Sequence, residues 1–125
     1  MTTTATQDTT LVDRYLAAWN ETDPDARRRI IADVFADDAR YVDPLADVTG
    51  HDGIAAVIAG AQEQFPGLRF TPGEVLDTHH DIARFTWHLG TGEGEPLVVG
   101  FDVAQLAEDG RLRTVHGFLD RVPTG

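Results

Sequence analysis

Two hydrophobic periodicities divide this chain near residue 68, and that division limits the folds open to it. Up to Phe65 the apolar residues recur at helical spacing. From Leu68 onward they lie in extended segments, "LRFTPGEVL", "IARFTWHL", "LVVGFDVAQLA" and "RLRTVHGFLDRV", separated by the turn chemistry of "DTHHD", "GTGEGEP" and "EDG". Three helices followed by an antiparallel meander predict an α+β domain, with the helices covering one face of a curved sheet. Such a sheet can leave a closed, largely apolar cavity, the usual form of a small-molecule site.

Residues 1–9 are polar and aperiodic and read as a disordered tail, leaving residues 10–125 as one domain. Thr10 and Asp13 fit a capping box, and Leu11, Tyr15, Ala18 and Trp19 share one side of a first helix over residues 11–20. Asp23 and Pro24 supply the N-cap and first position of a second helix, with Ile30, Ile31, Val34 and Phe35 as its apolar stripe. The first strand is expected over residues 39–43, and "PLADVTG" reads as a loop. Asp52 then caps a third helix carrying Ile54, Val57, Ile58, Ala61 and Phe65 on one side, stopped by "FPG". Pro72-Gly73 marks a bulge or break in the segment that follows.

The net charge is −11, and all ten basic residues are arginines, spread along the chain apart from Arg27-Arg28-Arg29. Nucleic acid and anionic membrane are therefore not expected as partners, since both need a concentrated positive footprint. The arginine triplet reads as a solvated helix face. No segment has the length to cross a bilayer, and "MTTTATQDTT" lacks the basic start and apolar centre of a signal peptide, so a cytoplasmic protein is expected. The chain contains no cysteine, lysine or serine. That removes thiol, serine and Schiff-base nucleophiles and leaves Asp, Glu, His, Tyr and Thr, the equipment for moving protons.

Three polar residues sit in apolar company. Tyr15 lies beside Trp19 and Leu11; on its own it reads as a core tyrosine with a tied hydroxyl. Asp43 ends a strand directly before Pro44, which holds it extended and on the same face as Tyr41. Alone, it is more often a turn acid than a base. Asp102 stands mid-strand in "LVVGFDVAQL", where it either faces solvent, is hydrogen-bonded, or stays protonated.

The histidines show no metal-ligand spacing, so neither a metal nor another cofactor is expected. His88 alternates with Trp87 and Leu89, and the apolar pair is the more natural cavity lining. His116 reads as opposite the cavity, and His51 as an exposed loop residue.

Taken together, "RYLAAWN" with Tyr15, "ADDARYVDP" with Asp43 and "VVGFDVAQL" with Asp102 resemble the ketosteroid isomerases and, more broadly, the polyketide-cyclase-like (SnoaL-like) members of the nuclear-transport-factor-2-like superfamily. The resemblance covers residues 10–122. It implies a cone-shaped barrel: three N-terminal helices on a strongly curved, mainly antiparallel sheet enclosing a pocket. The pocket lining would include Trp19, Tyr41, Val57, Trp87, Leu89, Val115 and Leu119, and the bulk of Trp19, Trp87 and Tyr41 argues against a steroid-sized substrate. By resemblance, Tyr15 and Asp102 donate hydrogen bonds to a substrate oxygen and Asp43 moves the proton. In the cyclases a strand aspartate works near a histidine; Asp102 and His88 would take those parts if the strand's other face turns inward.

The resemblance thus implies a cofactor-free enzyme acting next to the carbonyl of a small hydrophobic substrate, either isomerising a double bond or closing a ring by an aldol reaction. It also implies a homodimer, for which the outer face of the sheet offers mixed apolar and polar residues. A non-catalytic domain that binds a small hydrophobic ligand is the alternative, because the superfamily contains those too.

Overall fold

The computed structural model describes residues 2–122, with side chains described for residues 11–74 and 76–122. Its elements in chain order are α1 (Thr2–Asn20), α2 (Pro24–Val34), β1 (Phe35–Asp43), β2 (Ala46–Thr49), α3 (His51–Gln64), β3 (Arg69–His79), β4 (Ile82–Gly90), β5 (Val98–Leu106) and β6 (Leu112–Arg121). No helix among the described residues is long and apolar enough to cross a membrane.

The strand order is β2-β1-β6-β5-β4-β3. All neighbours are antiparallel except β1 and β6, which run parallel. The α+β arrangement with three helices and a mainly antiparallel sheet is as the sequence predicts. The sheet itself is not closed: β2 and β3 remain as edges, so the cone is completed by helices rather than by a strand seam.

Several boundaries differ from the sequence reading, each for a local reason. The backbone of α1 is already helical from Thr2, upstream of the apolar periodicity that begins at Leu11. β1 starts at Phe35, which also caps α2 through its N–H to the Ile31 carbonyl, so helix passes into strand with no connecting loop. β2 occupies what reads as a loop. It exists because Asp43 folds the chain back, its Oδ1 accepting the N–H groups of Leu45 at 2.8 Å and Ala46 at 2.9 Å. α3 has Gly50 at its N-cap, with φ at 90°, and Asp52 lies in its first turn, bridged to Arg28, rather than capping it. The expected break at Pro72-Gly73 is present as a register shift between Pro72 and Leu76.

Two exposure expectations are corrected. Arg27 is buried, donating to the Glu21 carbonyl and to Gln62 Oε1, while Arg28 and Arg29 stay exposed. His51 is half-buried, its Nε2 set between the carbonyls of Phe35 and Ala36, where the sequence suggests an exposed loop residue.

α1 is fixed to the sheet at its C-terminal end. Asn20 donates to the Phe70 carbonyl and accepts the Phe70 N–H, standing in for a neighbouring strand. This holds the Tyr15 and Trp19 side of the helix against the inner sheet face, where Phe35, Tyr41, Phe70, Phe85 and Trp87 complete the core.

Candidate functional site

Period-two alternation turns Val98, Gly100, Asp102 and Ala104 of β5 inward. Asp102 is thus a core residue, 1% exposed. Its Oδ2 accepts the Tyr15 hydroxyl at 2.8 Å and the Trp87 indole N–H at 3.1 Å. Its Oδ1 is equally buried and has no hydrogen-bond partner. Burial pushes this carboxyl up to about 7, against the two donors, which hold it down; the nearby Asp43 charge raises it further.

Tyr15 is fully buried, and burial followed by the Asp102 carboxyl and Tyr41 pushes its hydroxyl well above the ordinary range. It remains a donor, and its proton is committed to Asp102. Trp87 reaches the same oxygen because Gly100, its partner across β4 and β5, has no side chain: a Cβ there would collide with the indole ring.

Asp43 lies half-buried at the end of β1. Tyr41, two residues earlier on the same strand face, donates its hydroxyl to Asp43 Oδ2 at 2.7 Å. With the two turn N–H groups on Oδ1, three donors fix the carboxylate. Burial, then the charges of Asp102 and Asp43, raise the Tyr41 hydroxyl, keeping it protonated.

The two carboxyl groups are joined by a residue that sequence reasoning missed. Gly117 pairs with Asp102 across β5 and β6, next to the Val42–His116 pairing of β1 and β6. A Cβ on Gly117 would lie 2.8 Å from Asp102 Oδ1 and 3.4 Å from Asp43 Cβ. The glycine lets the two acids approach across the strand, with no room for a side chain between them. A glycine inside a strand, between His116 and Phe118, was the available signal.

Of the expected lining residues, Trp19, Tyr41, Trp87, Leu89 and Val115 are buried in the core, and Val57 and Leu119 pack against it half-buried. The aromatic rings of this core pack on one another: the centroids of Tyr15 and Phe85 lie 5.3 Å apart, those of Trp19 and Tyr41 5.5 Å. A separate cavity of about 690 Å³ lies at the β4–β5 loop end, lined by Leu68, Gly90, Pro96, Leu97 and Arg121 among others. It includes none of the expected lining residues.

His88 is half-buried on the sheet face opposite Trp87 and Leu89, beside Thr71, and is not brought to Asp102. The apolar pair faces inward, so the strand parity that would join His88 to Asp102 does not occur. His116 is exposed on the outer face, as read from the sequence.

This arrangement offers one sealed carboxyl with an unpartnered oxygen and, across Gly117 from it, one half-buried carboxylate. Two acids whose surroundings differ this much are suited to proton transfer.

The SnoaL-like domain matches residues 12–115. The structure is similar to a provisionally assigned isomerase of the SnoaL-like family from Agrobacterium tumefaciens, with 43% identity, 92% of this chain and 98% of that chain covered, and a TM-score of 0.85. It is also similar in fold to a provisionally assigned SnoaL-like polyketide cyclase from Jannaschia (21% identity, 90% and 87% covered, TM-score 0.67). A nuclear-transport-factor-2-like protein of unknown function from Exiguobacterium shares the fold as well (21% identity, 88% and 98% covered, TM-score 0.69). No curated protein matches the chain. With most of its length matched and a solved relative at 43% identity, the chain belongs to the SnoaL-like family.

Proposed function

We propose that this protein is a cytoplasmic, homodimeric enzyme that transfers a proton next to a carbonyl of a small hydrophobic substrate, by general acid/base catalysis without a cofactor. The observation that carries the proposal is the Asp102 carboxyl: buried, anchored through Oδ2 by Tyr15 and Trp87, and left with Oδ1 unpartnered against Gly117, with Asp43 close by.

With Oδ2 occupied by two donors, a proton on Asp102 resides on Oδ1. From there it can be donated to a substrate oxygen. Asp43, on the other side of Gly117, takes a proton from the carbon next to that carbonyl. The C–H electron pair passes onto the oxygen, where Asp102 stabilises the developing enolate in a site that excludes water. Return of the proton to another carbon completes an isomerisation; attack of the enolate carbon on a second carbonyl of the same molecule closes a ring. Tyr15 acts through Asp102 in this scheme, a positioning role in place of the direct contact with substrate that the resemblance implies.

The test is turnover of a β,γ-unsaturated ketone by the protein and by Asp43→Asn. An unchanged melting temperature with activity at least about a hundredfold lower is expected for loss of a general base. Equal turnover would remove Asp43 from the role. The cavity of about 690 Å³ at the β4–β5 loop end, which includes neither Asp43 nor Asp102, favours a second reading, a binding domain that holds a hydrophobic ligand without chemistry. On that reading neither protein turns over any such ketone.

A further inference from the structure

His88 takes no part in the chemistry at Asp102. It stands on the outer face of the sheet, paired across β3 and β4 with Thr71, and Arg69 lies two residues before Thr71 on that same face. The three side chains line one cavity of about 100 Å³, walled on its other side by the β4–β5 loop, residues 91–96. Gly90, the cross-strand partner of Arg69, adds no side chain to this row; a Cβ there would lie 3.4 Å from the Pro96 Cα. Neither Asp43 nor Asp102 lines this cavity.

Among the described residues, the side chains of Arg69, Thr71 and His88 make no hydrogen bond or ion pair with the rest of the protein. Together they offer a planar fork of guanidinium donors, one hydroxyl and one ring N–H. A carboxylate accepts about four hydrogen bonds, two of them from such a fork, so these three side chains match its capacity. The walls also set the charge of the ligand. Arg69 is the one guanidinium lining the cavity, while Glu93 and Glu95 line it too, Glu95 being bridged to Arg121 at 3.0 Å. A doubly charged anion would therefore meet two carboxylates with one guanidinium, whereas a single negative charge is matched by Arg69.

We propose that Arg69, Thr71 and His88 form a binding site for a small monocarboxylate, on the outer sheet face and separate from the candidate catalytic centre. Arg69 takes the carboxylate as a bidentate pair, and Thr71 and His88 each donate one hydrogen bond to its remaining lone pairs. The site shares no residue with the acid/base reading and stands independently of it.

The probe is acetate, added to the full chain at neutral pH and constant ionic strength, with the five histidines followed by their imidazole resonances. His88→Gln identifies the His88 signal. That signal should move saturably with acetate and stay in place with acetamide, a neutral molecule of similar shape. Arg69→Gln should weaken acetate at least about tenfold, the loss expected for hydrogen bonds to a charged group. Arg69 is exposed, so this variant should keep the wild-type melting temperature. Arg69→Lys keeps the charge without the fork and should also bind less tightly than wild type. Glu93→Gln removes a like charge from the wall and should tighten binding. A His88 signal that responds to acetate no more than to chloride, undiminished binding in Arg69→Gln, weaker binding in Glu93→Gln, or phosphate dianion binding more tightly than acetate would each overturn the assignment.

Discussion

Asp43 and Asp102 stand on either side of Gly117, close enough that a single added methyl would touch both: 2.8 Å from Asp102 Oδ1 and 3.4 Å from Asp43 Cβ. Asp102 has little freedom to withdraw, because Tyr15 and Trp87 hold its other oxygen. Gly117→Ala is therefore expected to displace the Asp102 carboxyl. Overpacking of this kind costs about 1–3 kcal/mol of stability. Ketone turnover should fall by far more than that partial loss of stability explains, and urea unfolding alongside turnover separates the two effects. A variant with normal turnover would show that catalysis does not depend on where the Asp102 carboxyl stands.

The elements of this site differ in how far the sequence reveals them. Tyr15 is placed by helical periodicity, and the Tyr41–Asp43 hydrogen bond follows from period two along one strand. Asp102 was ambiguous because β5 has apolar residues on both faces, Val98 and Ala104 on one and Val99, Phe101 and Val103 on the other. Only its partners Tyr15 and Trp87, 87 and 15 residues away in sequence, decide which face is inside. β2 was hidden for a different reason. Its four residues are too few to show alternation, and the turn that creates it is made by the Asp43 side chain. Arg27 could not be separated from its neighbours in the triplet, because its burial depends on Gln62 of another helix.

Removing one anchor should retune the buried acid. Tyr15→Phe deletes the donor that holds Asp102 down most strongly. The Asp102 titration, followed by carbon NMR of the side-chain carboxyls, is expected to move upward from its value near 7. Loss of the bond should also cost about 1–3 kcal/mol in stability. Trp87→Phe should act in the same direction, and the double variant should depart from additivity because both donors share one oxygen. An unshifted titration in Tyr15→Phe would mean that the hydroxyl does not bond Asp102 in solution.

The outer sheet face gives the prediction about assembly. Phe118 is 58% exposed and pairs across β5 and β6 with Phe101, beside the half-buried Val99 and Val103. A second copy of the chain laid against this face would cover them, and light scattering at micromolar concentration should give twice the monomer mass. Phe118→Glu should shift the equilibrium to monomer by burying an unpaired charge in the interface. A wild-type protein that runs as a monomer, or a dimer indifferent to this change, would contradict the arrangement.

The last prediction concerns pH, and its sign follows from Asp102 being raised rather than lowered. In the unfolded chain this carboxyl titrates near its model value of 3.8, whereas in the fold burial carries it to about 7. Between those values the native state holds a proton that the unfolded state has released, so unfolding stability falls as pH rises. The contribution of neutral Asp102 is fully present below about pH 4 and is lost progressively up to about pH 7, above which the curve flattens. A displacement of that size corresponds to about 4 kcal/mol as an upper bound. Asp102→Asn cannot titrate, and it retains an acceptor for Tyr15 and Trp87. Urea unfolding at half-unit steps from pH 4.5 to 8 should therefore give two curves, with the stability of the wild type declining relative to the variant. The difference between them cancels the histidines and the exposed carboxylates common to both proteins, so it reports Asp102 alone. Parallel curves across this window would mean that Asp102 is ionised throughout, and the role of Oδ1 as a proton donor would fail with it.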